Sequence, residues 1–98
     1  MKIHNLPKET IVTKQNTKGD LCYILLSGKL DVIKDSVKVF TIEKKGSIFG
    51  ELALDEASGG IRTATIMTVE ETVLCSISKY DYKEHLQKQT YIANIQKT

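Results

Sequence analysis

From Glu9 to Ser78 the chain alternates apolar and polar residues with a period of two, and turn-forming residues, chiefly glycine, interrupt it at short intervals. Successive side chains of a strand point to opposite faces, so this pattern suits short half-buried strands and fits no long helix. "ETIVTKQN" (9–16) reads as a strand after Pro7, closed by the turn "TKGD". "LCYILLSG" (21–28) is rich in apolar, β-favouring residues, as a strand covered on both faces should be. In "KLDVIKD" Leu30 and Val32 alternate with charges, "KDSVK" forms a hairpin turn, and "VKVFTIEKKG" is the returning strand. "RTATIMTVEETVLCSIS" reads as two strands, with Glu70 and Glu71 near the turn between them. About seven or eight short strands at this spacing predict a mainly β domain, a barrel or jelly-roll-like sandwich.

At Ser78 the period changes. Ser78 followed by Asp81 has the form of a helix start, and Tyr82, Leu86, Tyr91, Ile92 and Ile95 then mark a helical stripe. There is no internal repeat, low-complexity tract or linker. Residues 1–98 are expected to form a single domain, and a helix that meets the chain end without a stop signal suggests a piece of something longer.

Several function classes are disfavoured by composition. A chain of 98 residues with 41% apolar and 27% charged side chains can build one modest core. A net charge of +2, with lysines spread from Lys2 to Lys97, offers no basic face for nucleic acid. The longest apolar run, "LCYILL", is too short for membrane insertion, and the N-terminus has no apolar signal core, so a cytoplasmic location is expected. Cys22 and Cys75 lie in apolar runs without a second ligand nearby and read as buried small hydrophobes in a reducing compartment. His4, a strand-edge residue, and His85, a half-exposed helix residue, lie near opposite ends. They supply neither the histidine cluster of a jelly-roll metalloenzyme nor a Ser–His–Asp or Cys–His grouping. No metal site and no catalytic residues are expected; the chain reads as a non-enzyme.

The chemistry concentrates in "GSIFGELALDEASGGIRTAT" (46–65). Gly46 and Gly50 permit turns and close backbone approach, and "ELAL" can form a single helical turn whose first N–H groups are unpaired and suit an anion. Glu51 would repel that anion, yet a carboxylate only accepts hydrogen bonds and so suits sugar hydroxyls on the same ligand. Arg62 supplies a planar fork matched to phosphate oxygens. Blander roles exist for each residue alone: Glu51 capping its own turn, Arg62 solvated or paired with Glu51, "ASGG" a plain flexible loop. Their combination, in this order within a β-rich domain, is far less generic.

"FGELAL…RTAT" closely resembles the phosphate-binding cassette of cyclic nucleotide-binding domains, as in the regulatory parts of cAMP- and cGMP-dependent protein kinases. "KGDLCYILLSGKLDV" is similar to the family's early strands, "KKGSIFGE" to its approach to the cassette, and "VLCSISKYDYKEHL" to its last strand and following helix, so that the likeness runs roughly from Lys8 to Leu86. The resemblance implies an eight-stranded jelly-roll-like β-barrel with flanking helices. It implies that Glu51 binds the ribose 2′-hydroxyl and Arg62 the cyclic phosphate, with backbone groups of Gly50, Leu52, Ala53 and Ala64 around them. It further implies no cofactor beyond the ligand, cAMP or cGMP, and a linked effector such as a protein kinase catalytic domain. Thr63 stands where cGMP-dependent kinases are similar and where its hydroxyl could bond the guanine amino group. Some cAMP-responsive channels also have threonine there, so the purine stays open. Tyr91 could stack on the base, although its place in the stripe assigns it to the core. Two departures are plain: "DEASGGI" is longer than the kinase loop and lacks its usual proline, and Asp55 and Glu56 add negative charge near an anion site. The alternative is a degenerate copy of the fold serving in protein–protein interaction without nucleotide.

Overall fold

Eight strands realise the period-two pattern in a computed structural model that describes residues 1–86. They are β1 (Lys2–Leu6), β2 (Ile11–Thr13), β3 (Leu21–Ser27), β4 (Leu30–Lys34), β5 (Val37–Ile42), β6 (Ile48–Phe49), β7 (Thr65–Thr68) and β8 (Thr72–Ser78). They form two antiparallel four-stranded sheets, ordered β1-β8-β3-β6 and β2-β7-β4-β5. The arrangement is jelly-roll-like but not a closed barrel: each sheet keeps two edge strands.

Strand β3 shows why a wholly apolar strand is needed. Its Tyr23 and Leu25 point into a core shared by both sheets, which gathers Leu25, Phe49 and Leu74 from one and Leu30, Ile42 and Ile66 from the other. Its Cys22 and Ile24 point the other way, into a second cluster with Leu54, Ile77, Ile48, Tyr82 and Leu86. Both faces of β3 are therefore covered. Cys22 and Cys75 are buried free thiols.

The turns follow local chemistry. Asp35 and Ser36, with φ of 51° and 66°, make a two-residue loop between the paired Lys34 and Val37. Positive φ at both positions gives a hairpin turn whose twist matches its strands. Ser78 caps the helical segment, accepting from the Asp81 N–H at 3.1 Å. One α-turn, α1 (Lys79–Asp81), passes into a π-helical turn over Tyr82–Leu86. The rest of the expected stripe, Tyr91, Ile92 and Ile95, lies outside the described residues.

Three features depart from the sequence reading. β1 showed in the sequence only through His4 as a strand-edge residue: it pairs with β8 from Lys2↔Ser76 to Leu6↔Thr72, but it is an edge strand with Ile3 turned to solvent, so its alternation is muted. His4 sits on this edge, hydrogen-bonded through Nε2 to the Ser76 hydroxyl at 2.9 Å. β2 is only three residues long, bounded by positive φ at Glu9 and Asn16 and irregular between Ile11 and Thr13. β6 is a separate two-residue strand on β3 rather than the end of the preceding one.

Candidate ligand-binding site

At the end of β6 the chain turns through Gly50, whose φ of 79° is left-handed and favours glycine, into a 3₁₀ turn over Glu51–Leu54. The turn is amphipathic in miniature. Ala53 and Leu54 are buried and Leu54 joins the second cluster, while Leu52 is exposed and Glu51 half-buried. Asp55 then caps a second short turn, Glu56–Ser58, by accepting from the Ala57 N–H at 3.1 Å. Gly59 and Gly60, both at positive φ, lead the chain back to Arg62.

Residues 60–62 are laced to the loop between β2 and β3. The Gly19 N–H donates to the Gly60 carbonyl at 2.9 Å, the Arg62 N–H to the Thr17 carbonyl at 2.8 Å, and the Asn16 N–H to the Arg62 carbonyl at 2.9 Å. Lys18 and Ile61 add a β-bridge. The Arg62 backbone is thereby held from both sides.

Arg62 is only 6% exposed. Nη1 donates to the Gly50 carbonyl at 2.8 Å and Nη2 to the Leu21 carbonyl at 2.7 Å, and Cζ lies 5.9 Å from the centroid of the Tyr23 ring. Tyr23 in turn stacks on Phe49 at 5.4 Å. Two of the five guanidinium N–H donors are thus occupied by neutral acceptors, and no carboxylate pairs with Arg62 among the described residues. A buried cation without a counter-charge favours the arrival of an anion. The solvated-loop and Glu51-bridge alternatives for Arg62 are both excluded by this geometry.

The Glu51 side chain makes no hydrogen bond or ion pair among the described residues, and it does not cap its own turn. Its charge is felt by two neighbours. Burial, and then Glu51, push the Cys22 thiol up to about 11, against a smaller opposing pull from Arg62. The Tyr82 phenol is raised by burial and by the same carboxylate, and the Tyr23 phenol by burial against an opposing pull from Arg62.

A cavity of about 570 Å³ brings the expected residues together: Gly50, Glu51, Leu52, Ala53, Arg62, Thr63 and Ala64 all line it. Its volume lies in the range of small-molecule sites, roughly 300–1,000 Å³. The second sheet adds apolar lining, with Val32, Phe40, Ile42 and Ile66. The lining therefore combines the two charged side chains with apolar surface suited to a flat ring. Sequence reasoning missed this apolar lining, although Phe40 and Ile42 alternate on β5 and carried a usable signal. It also missed Thr13, a buried residue of the lining whose hydroxyl donates to the Ala64 carbonyl at 3.3 Å. Among the described residues no group of three or more His, Cys, Asp or Glu could hold a metal, and no helix is long and apolar enough to cross a membrane.

The model of the cyclic nucleotide-binding domain family matches residues 3–89, and the chain belongs to that family. It is 39% identical over 83 residues to a cAMP-dependent protein kinase regulatory subunit of Yarrowia lipolytica, covering 85% of this chain and 21% of that protein. It is 45% identical over 75 residues to a cGMP-dependent protein kinase of Plasmodium berghei, covering 74% of this chain and 8% of that protein. Among solved structures, cAMP-bound PfPKA-R superposes with a TM-score of 0.79 at 29% identity, over 87% of this chain and 29% of that one. The chain thus spans about a fifth or less of the length of these two curated relatives.

Proposed function

We propose that this chain is a non-catalytic sensor module that binds cAMP or cGMP and passes the signal to a linked effector, a protein kinase catalytic domain. In this reading it is one domain of a longer regulatory protein. Arg62 holds the cyclic phosphate through its uncommitted N–H donors, and Glu51 accepts from the ribose 2′-hydroxyl. Backbone groups of Gly50, Leu52, Ala53 and Ala64 surround the sugar–phosphate, and Thr63 lies beside the purine. The observation that carries the reading is that Glu51 and Arg62 line one cavity without being paired to each other. Opposite charges that leave each other alone beside a shared hollow suit a guest that has both an acidic and a hydroxylated part.

Calorimetric titration with cAMP and with cGMP tests this directly. Arg62→Ala is expected to weaken binding by about 2–5 kcal/mol, because a buried phosphate loses its charged partner. Glu51→Ala is expected to cost about 1–3 kcal/mol, the worth of a hydrogen bond to a charged acceptor. A 2′-deoxy ligand should bind wild type and Glu51→Ala equally. Wild-type protein that takes up neither nucleotide would reject the reading.

A further inference from the structure

We infer that Gly19 is a positioning residue for Arg62, and that its missing side chain sets where the guanidinium can offer its donors. The inference rests on the binding role proposed for Arg62, but the contact that carries it exists in the protein without ligand. A Cβ built on Gly19 would stand 2.5 Å from Arg62 Cζ and nearer still to Nε and Nη2. No side-chain atom fits there while the guanidinium stays in place.

Backbone geometry isolates the cause. The φ of Gly19 is outside the left-handed region, unlike that of Gly28, Gly46, Gly50, Gly59 and Gly60. Its φ therefore does not demand a glycine, and the reason the structure does give is the crowding around the missing side chain. The three nearest atoms all belong to the end of one long side chain, a group that can move more readily than backbone. Moving it would break the bonds from Nη1 to Gly50 and from Nη2 to Leu21, and would turn the fork away from the plane those two carbonyls define.

Gly19 is also fixed in place. Its N–H donates to the Gly60 carbonyl, and the neighbouring Lys18 bridges Ile61. The loop that carries Gly19 therefore cannot drift away to make room for a methyl group while keeping its hold on residues 60–62. The side chain of Arg62 must yield first.

The test is a double-mutant cycle on the 98-residue chain, with Gly19→Ala, Arg62→Ala and the pair. Each is titrated with cAMP and cGMP and unfolded with urea, and the Arg62 Nε–Hε resonance is followed by NMR in the ligand-free state. Gly19→Ala should lower affinity at least tenfold, shift the Nε–Hε resonance and move the urea midpoint only slightly. In the Arg62→Ala background the same substitution should leave affinity unchanged, since the group it displaces is gone. Should Gly19→Ala fail to fold, recovery of folding in the double variant would support the inference, and a double variant that also fails would overturn it. Unchanged affinity with an unshifted resonance, or an equal loss in both backgrounds, would overturn it as well. Failure of wild-type protein to bind either nucleotide would reject the sensor reading alone, because the resonance shift still reports the contact between Gly19 and Arg62.

Discussion

Arg62 and Glu51 both act electrostatically on a third group, the thiol of Cys22. Cys22 is fully buried behind them on β3, and its thiol is raised from an ordinary value of 9.0 to about 11, first by burial and then by Glu51. Unfolding frees the thiol to ionise near 9, whereas the folded protein keeps the proton until about 11. The stabilisation from holding that proton is complete below pH 9 and is lost as the pH rises through 11. A shift of this size is worth about 2–3 kcal/mol at the top of the window. Tyr23 and Tyr82, both raised by burial, act in the same direction at alkaline pH. We expect urea stability to fall between pH 9 and 11 in wild type and to fall less steeply in Cys22→Ala. Equal slopes in the two proteins would show that Cys22 does not carry the dependence.

Among the elements, the β4–β5 hairpin carries two adjacent residues in a strained backbone region. Asp35 and Ser36 both hold positive φ, a region that costs most residues with a side chain about 1–2 kcal/mol. Asp35 has a compensating tie: its carboxylate accepts from Gln15 Nε2 at 2.8 Å and its N–H donates to Gln15 Oε1 at 2.9 Å. No such tie is found at Ser36 among the described residues, so Ser36→Gly removes strain at the expense of a more flexible unfolded chain. A net gain of about 0.5 kcal/mol is expected, a rise of about 2–4 °C in a melting experiment. The hairpin was legible in the sequence because Lys34 to Val37 sits between two alternating runs, and β3 because a run of six apolar residues has no other use in so short a chain. Glu51 and Arg62, which the fold brings to one cavity, stood out in the sequence because they are chemically conspicuous. β6 was not legible, since two residues display no period, and β1 showed only through His4, since an edge strand needs little apolar patterning. The partners of Arg62 were equally hidden: its acceptors are backbone carbonyls of Gly50 and Leu21, which no residue type announces. Gly19 reads like any turn glycine because only the fold brings it against the distant Arg62 side chain.

At the scale of the whole molecule, the two clusters divide the work. The inter-sheet core holds the sandwich together, while the second cluster joins the cassette turn to the helical segment after β8. Leu54, the last residue of the turn that begins with Glu51, is 1% exposed and packs with Cys22 and Ile77, against which Tyr82 and Leu86 also lie. A ligand that shifts Glu51 must disturb Leu54, and close-packed neighbours cannot ignore that movement. Binding transmits a signal only if the ligand favours one arrangement of this cluster over another. Leu54→Ala should therefore act on two observables with different causes. It should destabilise the domain by about 2–5 kcal/mol, as large-to-small changes in a core do. It should also uncouple the helical segment, so that saturating cAMP or cGMP changes amide exchange over 79–86 in wild type but much less in the variant. If the exchange response persisted undiminished while stability fell, Leu54 would be core packing alone, and the link from cavity to helix would have to run through β8 instead.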